Sequence, residues 1–575
     1  MNTIDTDLLI LGSGGAGLFA ALHAHQANPK LKITVAVKGL LGKCGCTRMV
    51  QGGYNVALAA GDSIERHFMD TIEGGKWLPD QQLAWKLVNL AVERIRELEN
   101  ELGCYFDRNP DGSIHQKAFA GQTFDRTVHK GDLTGIEIIN RLAEQVWARE
   151  IGRLEEHRAV ELVKNAAGDA LAGVLMIDMR TGEYVFVRAK AVLLATGGGP
   201  TMYKYHTPSG DKSCDGLAMA LRAGLSLRDM EMVQFHPTGL LAGTHTRMTG
   251  TVLEEGLRGA GGYLLNGAKE RFMPNYDPKA ERATRDVVSR SMYAEIRAGR
   301  VTPHEGLYIS MAHLGPDNVR RQFKGMVERC TDCGFDLAGG LVEVVPTAHY
   351  MMGGVEFGAD CATALPGLFV AGEDSGGVHG ANRLGGNGVA NSTVYGGVAG
   401  ETMASWIAKE GGLHAPDKSA IDAAIARCEQ PFKAKAGAGG GLEAVREGLY
   451  ELMWDKVGII RDRAGLESAL GGLAELRGQL DASGVADGDR AFNLTWHDWM
   501  NLSSLIDVSE VITKAALARE DSRGAHFRSD FPEAGPLEKT AFTSVRQEGA
   551  SLAIAMKPVD FSIVKPGQTL LKDAA

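Results

Sequence analysis

Residues 7–17 read DLLILGSGGAG. Leu8–Leu11 form an apolar run that predicts a buried strand, Asp7–Leu11. It feeds a Gly12-Ser13-Gly14-Gly15-Ala16-Gly17 turn, and apolar spacing predicts a helix from Leu18 through Leu22. G-x-G-x-x-G between a strand and a helix is the fingerprint of dinucleotide binding. The glycines make the tight turn, admit a diphosphate and let the helix pack on the strand, while the helix N-terminus attracts the phosphates. Gly12, Gly14, Gly15 and Gly17 are therefore expected at a cofactor.

Working outward, the second strand, Ile33–Val37, ends in Lys38 rather than the acid that holds a ribose in plain NAD sites. Two later strands carry their own turns: Ala191–Ala195 before Thr196-Gly197-Gly198-Gly199, and Leu368–Ala371 before Gly372-Glu373-Asp374. Ligands of open α/β sheets sit at the carboxyl ends of such strands, which makes Glu373 a candidate for the adenosine ribose. Between these strands, mixed helical and turn signals predict a cap. The Ala/Gly-rich stretch 434–441 reads as a junction. LESALGGLAELRGQL at 466–480 has helical periodicity and lies in a region predicted to form a small bundle, and the last 40 residues read as less regular. The expected fold is α/β, with a Rossmann-like cofactor-binding domain in two segments, 1–236 and 346–433. An α+β capping domain is inserted at 237–345, a helical domain spans 442–535, and 536–575 is a C-terminal tail.

The 575 residues are 44% hydrophobic and 23% charged, ordinary values for a soluble globular protein. The 74 glycines are not ordinary, and they cluster in short runs between strand-like segments, a pattern that suits backbone packed closely around a large cofactor. A net charge of −10 gives no electrostatic basis for nucleic-acid binding. No charged-then-apolar leader and no membrane-spanning run are read, so a cytoplasmic location is expected. Eight cysteines do not make a disulfide framework in a chain this long.

The chemistry is concentrated in five segments: QFHPTG at 234–239, EEGLRGAGGYLLN at 254–266, RDVVSR at 285–290, PTAHYMMGG at 346–354 and HGANRLGGN at 379–387. They supply two histidines and two arginines able to converge on a carboxylate. They also supply an arginine–glutamate–arginine set suited to carrying a proton.

With QGGYNVAL at 51–58, DLTG at 132–135, DGLAMALRAG at 215–224, DMEMVQFHPTG at 229–239 and ALAREDSRGAHFRSDFPE at 516–533, the chain resembles the flavoprotein subunits of succinate dehydrogenase and fumarate reductase nearly end to end. L-Aspartate oxidase and soluble fumarate reductases are relatives of that family. The resemblance implies FAD, hydride transfer between flavin N5 and one carbon of a C–C bond, and proton transfer at its neighbour by an arginine. By motif position, Arg285 resembles that arginine, and Glu255 and Arg258 the residues that relay its proton. Arg383 and His349 resemble the groups on one substrate carboxylate, His236 one on the other, and Phe119 a wall beside the substrate. Cofactor contacts are expected from Lys38, Cys46, Thr47, Gln51, Gly52, Gly53, Thr196, Gly197, Asp215, Glu373 and Asn387. The implied partners are a small organic acid and an iron–sulfur subunit, through which a membrane anchor could hold the chain on the inner membrane face.

Two departures qualify the resemblance. Respiratory members attach FAD to a histidine in an S-H-T segment, where this chain has Gly45-Cys46-Thr47. FAD is therefore expected to bind non-covalently, with a cysteinyl link through Cys46 as the alternative. Where the family usually has Thr-Glu, this chain has Glu254-Glu255. A glutamate there would repel a carboxylate unless protonated or turned away, so Glu254 points to an altered substrate. A stand-alone amino-acid oxidase of the aspartate oxidase kind and a non-catalytic flavin-binding protein are the competing readings. No metal site is expected: Cys330-x-x-Cys333 and Cys44-x-Cys46 lack a second pair at ligand spacing.

Overall fold

Alternate residues of the first strand face different cores in the computed structural model, which describes residues 1–243, 246–435 and 440–571. Leu8 and Ile10 pack into one core, Leu9 and Leu11 into another. The strand is thus covered on both faces, as an unbroken apolar run requires. It starts at Asn2 rather than Asp7 and lies inside a seven-stranded sheet. Ile33–Val37 and then Gly152–Glu155 run parallel on one side, and Glu183–Leu194 runs parallel on the other. Glu183–Leu194 serves two neighbours beyond it. Its first half pairs antiparallel with Leu171–Asp178, and its end pairs parallel with Leu368–Val370. This division brings the turns at Thr196 and Glu373 to the same carboxyl edge.

The helix after the glycine turn spans Gly15–Ala27, so it begins before the predicted Leu18. The turn closes straight into the first helical turn, where Gly17 has no room for a side chain: an added Cβ would lie 2.0 Å from the Gly12 carbonyl oxygen. The long helix Asn387–Lys409 crosses Gly15–Ala27 at Gly396 and Gly400. A Cβ there would lie 2.6 Å from Ala16 O and 2.4 Å from Ala20 O respectively. Four residues apart, these glycines share one helix face and set how closely the second helix's N-terminus approaches the cavity.

The inserted segment carries an antiparallel four-stranded sheet in the order Val233–Leu240, Leu341–Met351, Leu307–Ser310, Tyr263–Leu265. Its first two strands run across the boundaries expected at 236/237 and 345/346, with Val233 opposite Met351 and Leu240 opposite Val344. The cap is thus rooted by one strand pair, whose register shifts at Gln234/Phe235 and His236/Gly239, and has its own core around Leu264, Val288, Ile309 and Val342. Cys330 is buried in that core and Cys333 is half-buried beside it.

Helices Gly441–Lys456, Arg463–Ala482 and Leu494–Ala518 pack together. Leu466, Ala469, Leu473, Leu476 and Leu480 are buried at the three/four spacing of one helical face. Residues 436–439 of the 434–441 junction lie outside the described residues. The C-terminal tail is more regular than expected. Ala541–Glu548 and Ser551–Pro558 form a hairpin, and the first of them pairs with Leu227–Arg228. Among the described residues no helix is long and apolar enough to cross a membrane.

Candidate active site

A cavity of about 570 Å³ runs from the glycine turn to the underside of the cap. Gly12, Gly14, Gly15, Lys38, Cys46, Thr47, Gln51, Gly52, Gly53, Thr196, Gly197, Asp215 and Glu373 all line it. At one end Asp215 accepts from Lys38 Nζ and from Arg158 Nη2, each at 2.8 Å. At the turn, Gly15 N–H donates to Thr47 Oγ1 at 3.0 Å. Thr196 Oγ1 donates to Asp374 Oδ2 at 2.9 Å and tethers the two strand ends.

The wall fits a flat ring system. Gln51 Oε1 is buried with no hydrogen-bond partner among the described residues. The Phe119 ring lies so near Gly52 that an added Cβ would be 2.5 Å from it. FAD would be held with its diphosphate at the Gly12–Gly15 turn and its ring against Cys46, Gln51 and Gly52.

Three cofactor expectations are revised. Gly17 is not a cavity wall; it serves the packing described above. Asn387 is also not one. Its Oδ1 accepts from Asn55 Nδ2 at 2.9 Å and lies 3.0 Å from His67 Nε2, while its Nδ2 donates to Thr71 Oγ1 at 3.1 Å. Its carboxamide braces the helix start. Glu373 accepts from Met351 N–H at 2.9 Å, and its charge acts on Cys46 and Tyr350. It therefore faces the middle of the cavity, whereas the acid beside Lys38 is Asp215.

At the cap end the strand pair brings His236 and His349 together, with ring centroids 5.4 Å apart. His236 Nδ1 accepts from Thr238 N–H at 3.3 Å, which leaves Nε2 as the protonated nitrogen. His349 Nδ1 lies 2.8 Å from Thr207 Oγ1. Arg285 opens the helix Arg285–Arg297. It donates to Glu255 Oε2 from Nε at 3.1 Å and Nη2 at 2.6 Å, and from Nη1 to Gln234 Oε1 at 3.0 Å. Arg258 stands behind, fully buried, and donates to Glu255 Oε1 at 3.0 Å. Glu255 thus bridges an arginine that lines the cavity and one that does not. Arg383 stacks on Tyr350, its guanidinium carbon 4.3 Å from the ring centroid, and its buried Nε has no partner among the described residues.

Burial, reinforced by the charge of Arg285, pushes both histidines well below their ordinary range. They offer neutral N–H groups rather than charge. Burial and then Arg285 push Arg383 down to about 10, so it stays cationic at neutral pH. Burial would raise Glu255, but Arg285 and Arg258 outweigh it and hold the carboxyl below its usual range. Arg258 and Arg285 share Glu255, and Arg383 has no ion pair among the described residues, so arginines outnumber directly paired carboxylates at this end of the cavity.

Glu254 lines the cavity but does not stand alone. Its Oε2 is 3.0 Å from Lys117 Nζ, and both side chains are shielded. Burial raises Glu254 and Lys117 partly offsets the rise. Sequence reasoning missed Lys117, which lies two residues before the Phe119 wall but 137 residues from Glu254. It also missed Gln234, which holds Arg285, and Tyr350, on which Arg383 stacks.

A Rossmann-like sheet, a cavity shaped for a flavin dinucleotide and a cationic pocket under a cap define a flavin-dependent oxidoreductase. The FAD binding domain family matches residues 7–389, and the Fumarate reductase flavoprotein C-term family matches residues 446–570. The chain belongs to the family of fumarate reductase and succinate dehydrogenase flavoprotein subunits. It is 40% identical over 536 residues to one of the subunits of the fumarate reductase (CoM/CoB) of Methanothermobacter marburgensis, covering 92% of this chain and 95% of that one. It is 35% identical over 550 residues to the Escherichia coli fumarate reductase flavoprotein subunit, covering 92% and 89%. Among solved structures, a mutated FrdA of E. coli quinol fumarate reductase superposes with a TM-score of 0.92 at 32% identity, covering 99% of each chain. Mycobacterium smegmatis Sdh1 gives 0.86 at 35%, covering 97% and 95%.

Proposed function

We propose that this chain interconverts succinate and fumarate at a non-covalently bound FAD and exchanges electrons with an iron–sulfur partner subunit. The observation that carries the substrate class is the Arg258–Glu255–Arg285 set with the unpaired Arg383 beside two neutral histidines. A dicarboxylate brings negative charge to this arginine-rich pocket, and charge compensation in a buried site is worth far more than in water.

Arg383 and His349 hold one carboxylate, and His236 Nε2–H donates to the other. FAD held there would supply the electron pair for reduction of fumarate, or accept it in oxidation of succinate, as a hydride exchanged with one substrate carbon. Arg285 gives a proton to the adjacent carbon during reduction, and Glu255 and Arg258 restore it. Glu255 contacts both arginines, so the proton moves along existing hydrogen bonds. Phe119 closes the wall and excludes water.

Non-covalent binding is supported by the state of Cys46. Burial and the charge of Glu373 push its thiol up to about 12, and the thiolate is the nucleophile. The partner reading is supported by exposed apolar side chains near the flavin-binding loop. Helix Thr134–Trp147 packs its Gly135 against Thr47 and Val50, and Met49, Tyr105 and Leu133 around it are exposed. Relatives named as subunits fit this reading.

The first test is anaerobic. Flavin reduced with dithionite should reoxidise rapidly on adding fumarate, and acid precipitation should leave the FAD in the supernatant. A reduced flavin indifferent to fumarate would reject the dicarboxylate reading. Flavin retained in the acid pellet would reject the non-covalent one.

Glu254 does not demand a different substrate, because Lys117 screens it. The same pairing disfavours an amino-acid oxidase, whose substrate ammonium would have to compete with Lys117. Lys117→Met should therefore raise the KM for fumarate at least tenfold by unmasking a buried carboxylate, about 1.4 kcal/mol. Adding Glu254→Thr to that variant should bring KM back toward the parent. Steady-state kinetics check both, and an unchanged KM in Lys117→Met would remove the screening role.

A further inference from the structure

We propose, resting on the non-covalent FAD binding proposed above, that Lys212 binds the diphosphate of FAD and supplies the anchoring that a covalent flavin bond supplies elsewhere in the family. Lys212 lines the cavity. Its Nζ donates to Thr196 O at 2.9 Å and forms no other hydrogen bond or ion pair among the described residues. Two ammonium hydrogens are left for a ligand.

Glycines make its path. A Cβ on Gly199 would lie 2.6 Å from Lys212 Cβ, and Cβ atoms on Gly197 and Gly45 would come within 3.6 and 3.7 Å of Nζ. Gly45, Gly197 and Gly199 all have positive φ, where glycine is favoured for backbone reasons too. This path ends beside the dinucleotide turn. Nζ bonds to the carbonyl of Thr196, and the Cα of Thr196 is 3.2 Å from the Cβ position of Gly12.

The other cations along this part of the cavity are occupied. Lys38 and Arg158 share Asp215, and Arg48 donates to Gly42 O and Asn140 Oδ1. The helix N-terminus is also partly used, because Gly15 N–H already donates to Thr47 Oγ1. The diphosphate is the strongly anionic group of FAD, and Lys212 is the cation at the turn that has no carboxylate partner among the described residues. A charge-assisted contact of this kind is roughly twice as strong as a neutral hydrogen bond.

The test measures release of FAD from the holoenzyme on serial dilution, read by the fluorescence of free FAD at low and moderate salt. Lys212→Met should weaken FAD binding at least tenfold and flatten its salt dependence, while Lys212→Arg should restore much of the affinity. The flavin midpoint potential should stay at the parent value, because the contact is with the diphosphate and not the ring. FAD affinity within twofold of the parent would overturn the proposal. So would retained affinity with a displaced midpoint potential, which would put the ammonium at the flavin ring. Lys212→Gln serves as a second charge-removing variant should the methionine variant fold poorly.

Discussion

Arg285→Lys is expected to leave FAD bound and to lower turnover with fumarate by about 10³-fold, within the range a positioned proton donor contributes. The reason is geometric. Arg285 uses Nε and Nη2 on Glu255 and Nη1 on Gln234 at the same time. A lysine ammonium is a single point on a flexible stem and cannot span both partners. The donor would be displaced from the substrate carbon, and its path back through Glu255 to Arg258 would be broken. Flavin absorbance and kcat report the two halves of the expectation. Turnover within tenfold of the parent would take Arg285 out of the mechanism. Because the loss concerns a proton given only in the transition state, kcat and kcat/KM should fall together.

Arg383→Met should have a comparable effect on activity and the opposite sign on stability. Loss of a buried charged contact to a carboxylate costs about 3–4 kcal/mol, which lowers kcat/KM by two to three orders of magnitude. Yet the protein itself gains little from this arginine. Its Nε has no partner among the described residues, and its strongest charged influence, Arg285, is of like sign. Methionine gives up the guanidinium's stacking on Tyr350 but removes a buried charge that has no ion pair among the described residues. The Tm of the ligand-free variant should therefore equal or exceed that of the parent. A clear fall in Tm would show that Arg383 is needed by the fold rather than by the substrate.

These two residues show how the site could be read before the fold was known. Both lie in short motifs whose chemistry is local, as do Glu255 and Arg258, three apart around one helical turn. The glycine turn was equally legible, because Leu8–Leu11 is too apolar to be anything but a strand buried on both faces. Other features were not legible, for physical reasons. The Glu254–Lys117 contact spans 137 residues, and nothing near either residue signals the other. The hairpin at 541–558 is partly exposed on both faces, so Ser551–Pro558 has no in–out alternation to betray it. Asn387 occupied a suggestive place at a helix start, but hydrogen bonds to Asn55, His67 and Thr71 decide its role, and those come from remote segments.

The ladder that roots the cap has a consequence for how such an enzyme could be rebuilt. Val233–Leu240 and Leu341–Met351 each begin or end inside the flavin-binding half and carry His236 and His349 between the two halves. The cap is therefore not a detachable cassette. Grafting a relative's cap at the apparent boundaries would cut both strands within a few residues of the histidines, and a slip of one residue at either join would turn the ring to the opposite face. A working chimera would have to exchange the paired strands whole, so the unit of recombination in this fold is the strand pair together with what it carries, and not the domain cut at its apparent edges.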